Sequence, residues 1–181
     1  TVEKYYNNAK LLGKPLTELF SANSELGRWL RTKNIIEKIG DLLIMHAGSS
    51  QTINNLPYDI AGINDRARQF YDKAPSTFVN PDIKAIMGNL GPFWYRGFYK
   101  TSPENNQVAT IDQIDSTLRK FDIKQIITGH TIVADTISFH FEGKVINTDT
   151  HHASGKSEAL LIEKNNYYRI NPNAERILVF I

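Results

Sequence analysis

Two apolar runs in this chain end in the same way. Leu42-Leu43-Ile44-Met45 leads into His46-Ala47-Gly48, and Gln125-Ile126-Ile127-Thr128 leads into Gly129-His130-Thr131. An apolar run of this length, bounded by turn residues, reads as a buried strand. In open α/β sheets, ligands collect in the crevice beyond the carboxyl ends of strands. Two strands that each deliver an imidazole to that edge point to one shared site. A neutral imidazole nitrogen is the commonest protein ligand for a metal ion. The alternative for each histidine is structural: it closes its strand and bonds to backbone.

A third candidate lies between them. The segment Gly88-Asn89-Leu90-Gly91-Pro92-Phe93-Trp94-Tyr95-Arg96-Gly97-Phe98-Tyr99 is too rich in glycine, proline and aromatics for a regular element. It reads as an ordered loop, and such loops carry function disproportionately. Arg96 has two readings there. Its guanidinium either takes a phosphate bidentately or packs on Trp94 or Tyr99 as a cation–π pair.

The elements that must position these groups follow in order. Helical spacing over 1–12 stops at Gly13-Lys14-Pro15; short helices are expected over 15–20 and 21–32. Ser24 is a candidate cap for the latter, Leu26, Trp29 and Leu30 its inward stripe, and Arg28 and Arg31 its solvated face. A strand over 34–39, a turn at Gly40-Asp41 and the His46 strand make a hairpin. The glycine and serines of 47–50 let backbone approach whatever His46 faces. One helix is expected over 56–73, ended by Pro75, and another from Asn80 as cap through Met87, with Pro81 in its first turn. Asn105-Asn106 reads as loop. Thr110 or Asp112 caps a helix to Phe121, with Ile111, Ile114, Leu118 and Phe121 inward. The His130 strand spans 123–128. A hairpin over 136–147 holds His140, expected on solvent or on its own sheet. Of the adjacent His151 and His152, at most one can face a site. Strands over 157–163, 167–170 and 177–181 form an antiparallel meander.

Composition narrows the class. The 181 residues suit one domain, taken as 1–181. They are 41% hydrophobic, carry a formal net charge of +2 and contain no cysteine. Disorder, disulfide frameworks and thiolate metal sites are excluded. The near-neutral charge and the lack of a basic stripe disfavour nucleic acid. No apolar run approaches a membrane span, and no targeting segment stands out, so the compartment stays open between cytoplasm and periplasm. The start at Thr1, without methionine, suggests a processed or excised piece.

Five segments carry a family resemblance. Met45-His46-Ala47-Gly48, Gly91 to Gly97 and Thr128-Gly129-His130-Thr131 resemble the last motifs of calcineurin-like metallophosphoesterases. Leu26 to Lys33 and Val145 to Thr150 resemble segments of one bacterial branch, the Shewanella-like phosphatases, relatives of the PPP serine/threonine phosphatases. The resemblance implies an α+β chain, the C-terminal half of an α/β/β/α sandwich. It implies a mixed sheet, flanking helices and the C-terminal meander. It implies two divalent ions (Mn, Fe or Zn), with His46 and His130 holding one of them. It further implies that Arg96, supported by Trp94, binds a substrate phosphate oxygen. The substrate would be a phosphorylated protein or a small phosphoester, hydrolysed by a metal-activated hydroxide. Ile132, where many relatives carry a second histidine, fits the PPP-like branch.

The motifs that supply the family's bridging aspartate, other ligands and general acid are missing. The only Gly-Asp pair, Gly40-Asp41, lies in a turn. The expectation is therefore half a phosphatase: no catalytic group of its own, weak or no metal binding, no activity alone, and pairing of exposed surface as a homodimer. The alternatives are a non-catalytic binding module that keeps the fold, and an unrelated α+β domain whose His46 and His130 lie far apart.

Overall fold

The computed structural model describes residues 2–99 and 108–179. The loop expected at Asn105-Asn106 and the end of the strand expected to run to Ile181 fall outside the described residues.

Three helices come first: α1 (Val2–Leu11), α2 (Leu16–Leu19) and α3 (Glu25–Arg31). Ser24 caps α3, its Oγ accepting from Gly27 N at 2.9 Å. The stripe expected to be core is instead exposed: Leu26 by 41%, Trp29 by 54% and Leu30 by 38%. Apolar spacing fixes which side of a helix is greasy, not whether anything covers it. Arg31 is not simply solvated. Its Nε donates to Asp72 Oδ2 at 2.9 Å and its Nη1 to the carbonyls of Gly27 and Phe20.

The hairpin β1 (Ile36–Ile39) and β2 (Leu42–Met45) turns at Gly40, whose φ of +58° favours glycine. Asn64, buried in α5 (Ile60–Arg68), accepts from Ile35 N and Ile36 N and donates to Ile36 O. That one amide fastens the helix to the hairpin. The helix expected over 56–73 is shorter, α5 alone, and a separate short helix, α4 (Gln51–Asn54), precedes it where only a glycine–serine loop was expected. Pro57 lies between them, and Asp59 starts α5 by accepting from Gly62 N at 2.7 Å.

Asn80 caps α6 (Pro81–Met87) and Thr110 caps α7 (Ile111–Phe121), as their sequences signal. Ile114 and Phe121 of α7 face inward, but Ile111 is 38% exposed. Next come β3 (Gln125–Thr128), β4 (Ser138–His140) and β5 (Val145–Asn147). The first sheet runs β1-β2-β3-β5-β4. Its middle strands β2, β3 and β5 are parallel and its outer strands antiparallel, so it is mixed.

Period-2 alternation divides the sheet's faces. Ile36, Leu43, Met45, Ile126 and Val145 pack with Ile53, Ile63, Ile86, Ile114 and Phe121 from the helical layer. Leu42, Ile44 and Ile127 face a cleft shared with Leu160 and Ile162 of the meander β6 (Ala159–Glu163), β7 (Asn166–Ile170) and β8 (Arg176–Val179). Ile137 N donates to Glu158 Oε2 at 2.8 Å, joining the two sheets. The architecture is α+β, with helices, mixed sheet and antiparallel meander in successive layers. No described helix is long and apolar enough to cross a membrane.

Candidate functional site

All three parallel strands end at one edge, and the loops leaving that edge are tied together by backbone. Gly129 N donates to His46 O at 2.9 Å, and Ala47 N donates to Pro92 O at 2.7 Å. The first bond sets the β2 loop against the β3 loop; the second sets it against the aromatic loop. Close approach is built in. A Cβ on Gly48 would stand 3.0 Å from the Phe98 ring, and one on Gly91 would stand 2.0 Å from Ile86 O. The small residues after His46 thus make room for the aromatic loop.

His46 and His130 meet. His46 Nε2 and His130 Nδ1 are 2.9 Å apart, although 84 residues separate them in the chain. This removes the unrelated-domain reading, which required them far apart. His130 adopts φ +64°, a left-handed conformation that histidine tolerates better than most residues. His130 Nε2 is buried and has no hydrogen-bond partner among the described residues. A buried nitrogen left in that state is costly unless something else occupies its face. Burial, then the positive charge of Arg96 and the electrostatic effect of the adjacent His46, hold His130 far below the usual imidazole range, at about 4; Asp149 opposes this. The ring is therefore neutral near pH 7, with a lone pair to offer.

Arg96 joins the same cluster. Its Nη1 donates to His130 O at 3.0 Å and to Thr131 Oγ1 at 3.1 Å. No Arg96 cation–π pair occurs among the described residues, where Arg66 over Tyr58 is an example of one. Trp94 is 53% exposed and stands edge-on to His130, ring centres 5.6 Å apart. Arg96 thus braces the His130 turn while the rest of its five-donor fork remains for an anion.

Sequence reasoning passed over three supports. Asn147, fully buried at the end of β5, donates to Thr131 O at 2.8 Å and accepts from Asp149 N at 2.8 Å. Thr148 N and Oγ1 both donate to Thr128 O. Tyr99 OH and Thr128 Oγ1 share a bond of 2.6 Å. The signal was present: Asn147 ends the third parallel strand, so the strand-end rule that selects His46 and His130 selects it too.

The other histidines lie apart from the pair. His140 rests on the Tyr99 ring, centres 4.8 Å apart, and bonds Ser138 Oγ. His151 bonds Asp135 and His152 bonds Ser157. Among the described residues, no group of three or more His, Asp or Glu side chains stands ready to hold an ion.

No protein-family model matches the sequence, and no curated protein matches it. Solved structures do. A cold-active protein tyrosine phosphatase superposes with a TM-score of 0.83 and 31% identity over 96% of this chain. Further structures, of a point mutant and of the enzyme from a psychrophilic Shewanella species, give TM-scores of 0.83 at 30% identity over 97%. The chain spans 50–51% of the length of these proteins.

Proposed function

We propose that this chain is part of a calcineurin-like metallophosphoesterase, a metal-dependent phosphoric monoester hydrolase acting on phosphorylated protein. Its phosphatase chemistry would be of the serine/threonine type. The 2.9 Å between His46 Nε2 and His130 Nδ1 carries the reading. Two nitrogens each about 2.1 Å from one ion stand about 3 Å apart when they subtend roughly a right angle at it. The pair thus fits a shared Mn, Fe or Zn ion held through His46 Nε2 and His130 Nδ1, and a His130 ring that is neutral near pH 7 has a lone pair to offer it. The likeness to tyrosine phosphatases supports a phosphoprotein substrate and widens the acceptable residue to phosphotyrosine.

His46 and His130 would hold one ion of a pair, which supplies the Lewis acidity that makes water a nucleophile toward phosphorus. The chain's own residues do the positioning. Arg96, braced on His130 O and Thr131 Oγ1, turns its remaining N–H donors to a phosphate oxygen. Asn147 fixes the Thr131 carbonyl and so the turn on which Arg96 rests. Trp94 covers one edge of the His130 ring.

A metal titration of the chain tests this. On adding Zn²⁺, the ring resonances of His46 and His130 should move together. His46→Ala and His130→Ala should each weaken binding at least about tenfold, since affinity follows ligand count. With two imidazoles alone, the chain should not turn over an aryl phosphate in manganese buffer, and measurable turnover would contradict the need for further ligands. Rings that respond independently, or not at all, would overturn the metal role. Inorganic phosphate binding that survives that result, and is lost in Arg96→Ala, would leave a non-catalytic binding module.

A further inference from the structure

Beside the histidine pair runs a groove of about 500 Å³. Its walls come from four places: Phe20 after α2, Leu30 of α3, Phe70 and Phe78 after α5, and Phe93 and Trp94 of the aromatic loop. Phe70 and Phe78 meet edge to face at 5.6 Å, so the wall is ordered rather than a loose collection of rings. Its mouth is open, with Phe20 41%, Leu30 38% and Trp94 53% exposed. Several large apolar side chains are therefore uncovered side by side at one place.

Two features say what the groove takes. The first is continuity. Trp94 lines the groove and also stands edge-on to His130, so one side chain joins the groove to the imidazole pair. The second is charge. Arg31 and Lys73 line the groove and, among the described residues, no carboxylate does, although Asp72 pairs with Arg31 from outside it. An apolar trough with cations at its rim suits a peptide whose aromatic or long aliphatic side chain lies near a phosphorylated residue. A small phosphate ester would leave the trough empty.

We infer that this groove is a specificity subsite for an aromatic or large aliphatic residue flanking the phosphorylated residue of a peptide substrate. The inference rests on the phosphatase reading above, but its own element is the flanking side chain. Trp94 gives the subsite its link to the phosphate, and Phe20 and Leu30 are its outer wall.

The test uses labelled phosphotyrosine peptides of otherwise polar sequence. A single Phe is moved through the three positions on either side of the phosphotyrosine, and an all-Ala-flanked peptide serves as reference. Binding to the chain is read by fluorescence anisotropy. At one or more positions Phe should tighten binding about tenfold, as burying one aromatic side chain allows. In Phe20→Ala and in Leu30→Asp that gain should shrink below about twofold, with thermal midpoints near the parent's. Unphosphorylated versions separate the two readings. If the phosphate reading fails, phosphorylated and plain peptides bind alike while the Phe gain persists. If the subsite fails, phosphate dependence persists with no Phe gain, or with a gain that Phe20→Ala and Leu30→Asp leave intact. Absence of binding by any peptide at millimolar concentration would also overturn it.

Discussion

The mixed sheet and the meander use similar apolar residues to different ends. β2 and β3 bury every second side chain completely, and β5 buries all of its residues. In β6, β7 and β8 no side chain is fully buried. One sheet has a helical layer on one face and the meander toward the other; the meander relies mainly on its own backbone ladder. The histidine pair hangs from the first. A site that needs two nitrogens held within tenths of an ångström is best carried by strands that cannot shift. The contrast teaches that here placement accuracy tracks burial, not strand content.

The comparison can be broken most directly by cavity formation. Ile126→Ala, at a fully buried position of β3, should cost about 2–5 kcal/mol in urea unfolding. Leu161→Ala, half-buried in β6, should cost under about 1.5 kcal/mol because less apolar area returns to water. Equal losses would show that the meander is as tightly packed as the mixed sheet.

A smaller effect should separate the two regions' polar fastenings. Asn64→Ala strips partners from three buried backbone groups of the β1 hairpin and should cost about 3 kcal/mol. Asn171→Ala removes a comparable double acceptor, for Asn173 N and Glu175 N, but in an exposed turn. There water replaces the lost bonds, and the cost should stay below about 1 kcal/mol. A large loss from Asn171→Ala would place unsuspected weight on the meander.

The smallest effect sharpens the comparison through pH. Burial holds His140, on the outer strand of the mixed sheet, below the usual imidazole range, and burial together with nearby positive charge holds His130 at about 4. Both therefore take up a proton less readily when folded than in the unfolded chain, where imidazole titrates near pH 6.5. The unfolded state therefore binds more protons as pH falls from about 6.5 toward 4, and stability should decline across that window. His140→Gln should flatten part of the decline and leave the His130 share. An unchanged slope in urea midpoints measured against pH would show that His140 titrates as freely as in solvent.

Legibility in the sequence followed the same division. The strands ending at His46 and His130 and the caps Ser24, Asn80 and Thr110 were readable because each rests on local spacing. What failed was whatever depended on distant partners. The stripe of Leu26, Trp29 and Leu30 signalled an inward face, but its cover is not written in α3. Arg31 gave no sign of Asp72, which lies 41 residues away. The late start of the helix expected from Leu56 was partly readable, since Pro57 disfavours a helical residue before it and Asp59 is a ready cap. At the site, residue types identified His46, His130 and Arg96. The left-handed turn of His130 and the bracing by Asn147 arise only when three strand ends meet.

The parallel pairing of Leu42 with Gln125 has a kinetic consequence. β2 and β3 can join only after most of the helical layer has been gathered between them, so the chain must close a long loop before these two strands reward it. The meander, with strands joined by short turns, can zip early and locally. The histidine pair should thus be among the last features to assemble, and during synthesis the chain waits for its second half before His46 acquires its neighbour.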